Sequence, residues 1–207
     1  MQKTLLLMLL ATCTTALADE AYRFEVTPFV GYRMGGQFDT EDSNVDIRLS
    51  DSASAGFLVN GYVSEETEWE FLYSNQQTTA RVTDALSAAE EVVDFDTHTV
   101  QLGGTYLFEG ESVIPYLALT LGGTHVRTRA IDEQSDTFLS GSIGLGLRFL
   151  PSSRVGIRLE ARAYGILVNS SSDLFCRTGP EGNVCAIQLE GNLVSQVETF
   201  AGIAIRF

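Results

Sequence analysis

The sequence predicts an all-β fold: eight antiparallel strands closed into a single up-and-down transmembrane β-barrel. Three observations predict it. Segments of roughly ten residues alternate apolar and polar side chains with a period of two, the signature of a strand with two different faces. The connections between them alternate short and long. Charged residues and glycines recur on the face opposite the apolar one, which suits a packed interior with lipid outside.

The elements follow in chain order. Lys3, the apolar run Leu5–Leu10 and the small-x-small triplet Ala16-Leu17-Ala18 predict a secretory signal peptide over residues 1–18, cleaved after Ala18. Leu10-Ala11-Thr12-Cys13 has a loose likeness to a lipoprotein site, but Thr12 suits it poorly and Ala18 offers the better cleavage point. Residues 19–207 are then the barrel domain. Its strands are expected at about 23–34, 53–63, 68–76, 94–108, 113–127, 138–149, 154–168 and 192–207. The seventh is the clearest: Val155, Ile157, Leu159, Ala161 and Ala163 oppose Gly156, Arg158, Glu160, Arg162 and Tyr164. In the sixth, Leu139, Ile143, Leu145, Leu147 and Phe149 oppose Ser140, Ser142, Gly144, Gly146 and Arg148. The fifth sets Leu117, Leu119 and Leu121 against Tyr116, Ala118, Thr120 and Gly122. The eighth sets Ile203, Ile205 and Phe207 against Gly202, Ala204 and Arg206.

Short connections are expected at 64–67, 109–112 and 150–153, and long polar loops at 35–52, 77–93, 128–137 and 169–191. Short turns lie on the periplasmic side of such barrels, so both termini are expected there and the long loops outside the cell. Phe24, Trp69, Phe71, Tyr106, Phe108, Phe149 and Phe207 fall at the turn ends with the parity of the apolar face. They are expected to form an aromatic girdle at that interface, where ring bodies are buried and edges are wet. A soluble lipocalin-like barrel would put its apolar face inside. Arg158, Glu160 and Arg162 on one face are too many charges for a dry ligand cavity.

Glu25, Arg33, Glu70, Arg148, Arg158, Glu160, Arg162 and Arg206 have inward parity and are expected to pair in the interior, because each would be costly there alone. Cys176 and Cys185 are expected to form a disulfide clipping one loop, since no histidine stands near enough to suggest a metal site. With Lys3 cleaved, 12 arginines face 27 acids, a formal charge of −15. Nucleic acid, which needs a basic face, is not an expected partner. Acidic residues crowd the long loops: Asp39, Glu41, Asp42, Asp46 and Asp51, then Glu90, Glu91, Asp94 and Asp96, then Asp132, Glu133 and Asp136. They make divalent cations and lipopolysaccharide possible partners, although their order matches no defined calcium motif.

Val26-Thr27-Pro28-Phe29-Val30-Gly31-Tyr32-Arg33, Gly156-Ile157-Arg158-Leu159-Glu160-Ala161-Arg162 and Ala201-Gly202-Ile203-Ala204-Ile205-Arg206-Phe207 resemble the first, seventh and last strands of small outer-membrane β-barrel proteins of the OmpA-like or OmpW-like kind. The resemblance implies the eight-stranded fold in the bacterial outer membrane. It also implies recognition of the strand ending at Phe207 by the barrel-assembly machinery. It implies no single activity. The expected role is structural or surface-interacting, with a lumen plugged by paired charges. A narrow channel for ions or small hydrophilic solutes is the alternative. A lipid-modifying enzyme is a third. His98 and His125 would have to supply its base, but Arg127 stands two residues beyond His125, where such an enzyme carries serine, and His98 has no matched serine. No catalytic residue, cofactor or metal ligand is expected, and Glu65-Glu66 and Glu90-Glu91 suit solvated turns and loops.

Overall fold

The computed structural model describes residues 23–35, 37–38, 45–84, 90–128, 135–150, 154–168, 176–179, 182–185 and 193–207. Every regular element among them is a strand: β1 Phe24–Met34, β2 Gln37–Phe38, β3 Val45–Leu49, β4 Ser52–Ser64, β5 Thr67–Asp84, β6 Glu90–Leu107, β7 Val113–Thr128, β8 Ser135–Phe149, β9 Val155–Leu167, β10 Cys176–Gly179, β11 Gly182–Cys185 and β12 Leu193–Arg206. Eight of them form the wall. The cyclic order is β1-β4-β5-β6-β7-β8-β9-β12, with β12 pairing antiparallel to β1 to close the sheet.

Hydrogen-bonded neighbours traced once round the wall from Phe24 run through Gly61, Trp69, Gly104, Leu119, Ile143, Ala163 and Val197 and return to β1 at Met34, ten residues farther along. A stagger of that size in eight strands tilts them by about 40° from the barrel axis. An even stagger is obligatory, because an odd one would meet the starting strand with its faces reversed.

The strand starts and stops follow the alternating pattern closely, except on the loop side. There β5 runs on to Asp84 and β6 begins at Glu90, where a loop is expected from 77 to 93. β3 pairs with that extension of β5, and β2 with β3. Gln77–Asp84 and Glu90–Val93 lack an apolar face, so no hydrophobic period marks them. β-Branched Thr and Val and a continuous ladder from Thr67↔Tyr106 to Thr83↔Glu90 sustain the hairpin without one. The small β10–β11 hairpin likewise lies within an expected loop.

The two faces separate cleanly. Along β9, Gly156, Arg158, Glu160, Arg162, Tyr164 and Ile166 are buried, while Val155, Ile157, Leu159, Ala161 and Ala163 are exposed. Leu119, Leu121 and Leu145 are 62–67% exposed, whereas Arg148, Arg158 and Arg162 are fully buried. A band of exposed leucine, isoleucine and valine encircling the molecule belongs in lipid rather than water, the reverse of a lipocalin. The interior is not uniformly polar, however. Phe29, Leu58, Leu72, Tyr164 and Phe200 form one buried cluster. Phe138, Ile166, Val168 and Val194 form a second at the loop-side end, and Leu107, Tyr116 and Ala118 a third near the turns. A barrel of eight strands is filled by its own side chains, so apolar groups can face inward without meeting water.

Candidate functional site

The lumen concentrates the unusual chemistry of the chain, and its turn-side half holds two groups of ion pairs, with Arg148 of one and Arg158 of the other both lying over the Tyr116 ring. On β9, Arg158 donates from Nη2 to Glu70 Oε2 at 2.6 Å and Glu160 Oε2 at 3.0 Å, from Nη1 to Asn60 Oδ1 at 2.8 Å, and from Nε to the Tyr116 hydroxyl at 2.7 Å. Four residues farther along the same face, Arg162 donates from Nη2 to Glu70 Oε1 at 2.6 Å and from Nε to Glu160 Oε1. Tyr116 in turn donates to Glu160 at 2.7 Å. Nearer the turns, Arg148 grips both oxygens of Glu68 at 2.9 and 3.0 Å and reaches Glu25 at 3.2 Å, and Arg206 closes on Glu25 at 2.8 Å. The planar guanidinium fork suits this many-fold pairing better than a lysine ammonium could.

Strand order explains the reach of these contacts. β5 and β9 are four places apart in a ring of eight, on opposite walls, so the Glu70 contacts to Arg158 and Arg162 cross the full width of the lumen. Small residues make room for them. A Cβ on Gly144 would lie 2.3 Å from Glu160 Oε1, and one on Gly146 would lie 2.1 Å from the Tyr116 hydroxyl.

The loop-side half is built differently. Above the Phe29, Leu58, Leu72 and Phe200 side chains, with Phe29 and Phe200 stacked at 4.3 Å, sits one separate ion pair. Arg33 Nη2 donates to Glu198 at 3.3 Å and to the Ser74 hydroxyl at 2.7 Å. Its guanidinium lies 4.3 Å over the Tyr164 ring, and the Tyr164 hydroxyl donates to Glu198. Toward β6–β8 the wall carries a neutral lattice in which Gln101, Thr120, Ser142, Thr124 and Ser140 bond to one another at 2.7–3.0 Å.

A transmembrane-type barrel with lipid-facing leucines and a charge-filled centre narrows the family. The model of the outer membrane protein β-barrel domain matches residues 4–183. The chain belongs to that family. An outer-membrane barrel of this kind resides in the bacterial outer membrane. Solved structures agree on the fold. Neisserial surface protein A is 14% identical with a TM-score of 0.61, the match covering 89% of this chain and 97% of that one. The outer membrane protein AlkL is 12% identical with a TM-score of 0.51, covering 93% and 94%. The N-terminal β-barrel domain of Pseudomonas aeruginosa OprF is 12% identical with a TM-score of 0.50, covering 91% and 100%. No curated protein sequence matches the chain.

Within this outer-membrane barrel, Glu25, Arg33, Glu70, Arg148, Arg158, Glu160 and Arg162 are buried in the lumen, and Arg206 lies at its turn-side mouth. Arg33 stands apart from the others, on the far side of the apolar cluster. Two carboxylates absent from the sequence-based set complete the pairs: Glu68, with Arg148, and Glu198, with Arg33. Parity alone would have found both, since Glu68 shares a face with Glu70, and Glu198 with Gly202 and Arg206. The interior thus holds five carboxylates and five guanidiniums among the described residues, and is close to neutral in a strongly acidic chain.

Phe24, Trp69, Phe71, Tyr106, Phe108, Phe149 and Phe207 all lie on the outer wall toward the turn end, with Phe24 edge-on to Trp69 and Tyr106 edge-on to Phe108. His98 and His125 are register partners on the outer wall near the loop end. His98 Nδ1 is 3.0 Å from the Tyr73 hydroxyl and 3.2 Å from Asn75 Nδ2, and His125 Nδ1 is 3.0 Å from Thr137 Oγ1. Glu65 and Glu66 occupy the β4–β5 turn, where Glu66 accepts from Tyr106 at 2.9 Å. The backbones of Cys176 and Cys185 face one another across β10–β11. Among the described residues no three His, Cys, Asp or Glu side chains could hold a metal. Asp39, Glu41, Asp42, Asp132, Glu133 and the signal segment 1–18 lie outside the described residues.

Proposed function

We propose that this chain is a non-enzymatic outer-membrane barrel whose lumen is plugged, and whose role is structural or surface-interacting through its loops. The observation that carries this is the pairing of Glu70 on one wall with Arg158 and Arg162 on the wall opposite, at 2.6 Å each. Hydrogen-bonded groups that meet across the full width support a closed lumen. Removing either partner would leave a buried charge uncompensated, a cost of about 3–5 kcal/mol that holds the plug shut. The enzyme alternative lacks support at its best candidates. Among the described residues, His98 contacts a tyrosine and an asparagine rather than a serine, and His125 reaches Thr137 with no third group bonded to its ring to orient it.

The turns carrying the aromatic girdle face the periplasm in this proposal, as do both chain ends after cleavage behind Ala18, and the β5–β6 extension and the acidic loops face outward toward lipopolysaccharide and divalent cations. Phe207 closes the strand that the assembly machinery reads. Cys176 and Cys185 are bridged: directly opposed residues of an antiparallel ladder have Cα atoms about 4.5–5.5 Å apart, within disulfide range.

Planar-bilayer recording of the refolded protein tests the plug. We expect a silent bilayer. Stepwise currents that change with Arg158→Ala or Arg162→Ala would overturn the plugged barrel in favour of a narrow channel.

A further inference from the structure

Around Arg33 the lumen holds hydrogen-bonding capacity that the protein itself does not use. Arg33 is 1% exposed, yet only its Nη2 is hydrogen-bonded; its guanidinium face lies over the Tyr164 ring, and Nε and Nη1 have no hydrogen-bond partner among the described residues. Gln76 and Gln196 are equally buried, at 1% and 3%. Each uses its amide nitrogen, Gln76 toward Ser52 Oγ at 2.8 Å and Gln196 toward the Gly35 carbonyl at 3.4 Å. Each leaves its Oε1 unpartnered. Arg33, Gln76 and Gln196 therefore contribute four of the six unpartnered buried side-chain polar atoms among the described residues.

Strand pairing brings them together. β12, β1, β4 and β5 are consecutive in the wall. Arg33 is the register partner of both Glu198 and Ser52, and Ser54 that of Gln76. All lie on the lumen face at the loop-side end, over a floor of Phe29, Leu58, Leu72 and Phe200. A buried donor or acceptor without a partner is costly, so several at the same end of the lumen point to a ligand that would satisfy them.

Charge selects its class. Glu198 already neutralises Arg33, so an anion would meet that carboxylate and two amide oxygens, and a cation would meet the guanidinium. A hydroxyl can accept from Arg33 and donate to the glutamine oxygens at once. We infer that Arg33, Gln76 and Gln196 form a binding site for a small neutral polyhydroxylated solute, a monosaccharide or polyol, in the loop-side half of the lumen. The site stands whether or not the ion pairs beneath it conduct.

The test is calorimetric titration of the full refolded chain in detergent with glucose, galactose and glycerol, fold being checked by the heat-dependent gel shift of barrels. We expect saturable binding of at least one of the three. It weakens about tenfold in Gln76→Leu and in Gln196→Leu, one lost hydrogen bond each, and is unchanged in Gln77→Leu, whose side chain is on the outer wall. If none of the three saturates the wild-type chain, or if Gln76→Leu and Gln196→Leu bind as well as wild type, the unpartnered atoms hold water only and the inference falls.

Discussion

The two halves of the lumen solve the same problem in opposite ways. Both bury arginine and glutamate where little water reaches. In the turn-side half, Arg158 and Arg162 share Glu70 and Glu160, and Arg148 and Arg206 share Glu25, so most of these charges are held by two partners. In the loop-side half, Arg33 has one carboxylate, Glu198, at the longer distance of 3.3 Å, and keeps two idle nitrogens. Redundant pairing makes a stiff cross-brace. A lone pair set among hydroxyls and amides fixes two strands and leaves the rest of the space chemically available.

Glu70→Ala should break this contrast most severely. It strands two guanidiniums on one remaining carboxylate, and we expect a loss of about 3–5 kcal/mol, read as a lower urea midpoint for the folded band. An unchanged midpoint would mean the brace does not bear on stability. Gly146→Val comes next. Its side chain must displace Tyr116 from both Arg158 and Glu160, and overpacking of this kind costs about 1–3 kcal/mol. A matched Gly123→Val on the outer wall, where a Cβ meets nothing closer than 3.5 Å, should change stability far less, and equal losses at the two sites would contradict the close packing at Gly146. The smallest effect belongs to the loop side. Replacing Arg33 and Glu198 together by methionine removes an isolated pair without stranding either charge, and should move the midpoint by less than ~1 kcal/mol. A loss as large as that of Glu70→Ala would erase the distinction between the halves.

The sequence made the wall legible and the interior only partly so. A period of two located eight strands because lipid on one side and packed charge on the other imposes the alternation residue by residue. It failed for Gln77–Asp84 and Glu90–Val93, where no apolar period marks the sequence and the backbone ladder carries the strands. It also suggested that apolar side chains face out, which holds for Leu119 and Ile157 but not for Phe29, Leu72, Phe138 or Ile166. A narrow barrel needs its centre filled more than it needs it polar. Parity identified which charges turn inward, yet partners depend on the stagger. Glu70 finds Arg158 and Arg162 only because β9 lies four places from β5 in the ring of eight, on the wall opposite, and nothing in the local pattern reveals that.

The ten-residue advance around the wall has a further consequence for how this chain can change. One residue inserted or deleted within any wall strand slips every later pairing by one, and the mismatch accumulates at the β1–β12 seam, where lipid-facing side chains would have to meet lumen-facing ones. Strands can thus lengthen or shorten only where they end, or by absorbing the extra residue in a kink. β4 already carries such a kink between Tyr62 and Ser64, beside its turn and clear of the seam. The chain's evolutionary freedom lies at the rims, and its circumference is effectively frozen.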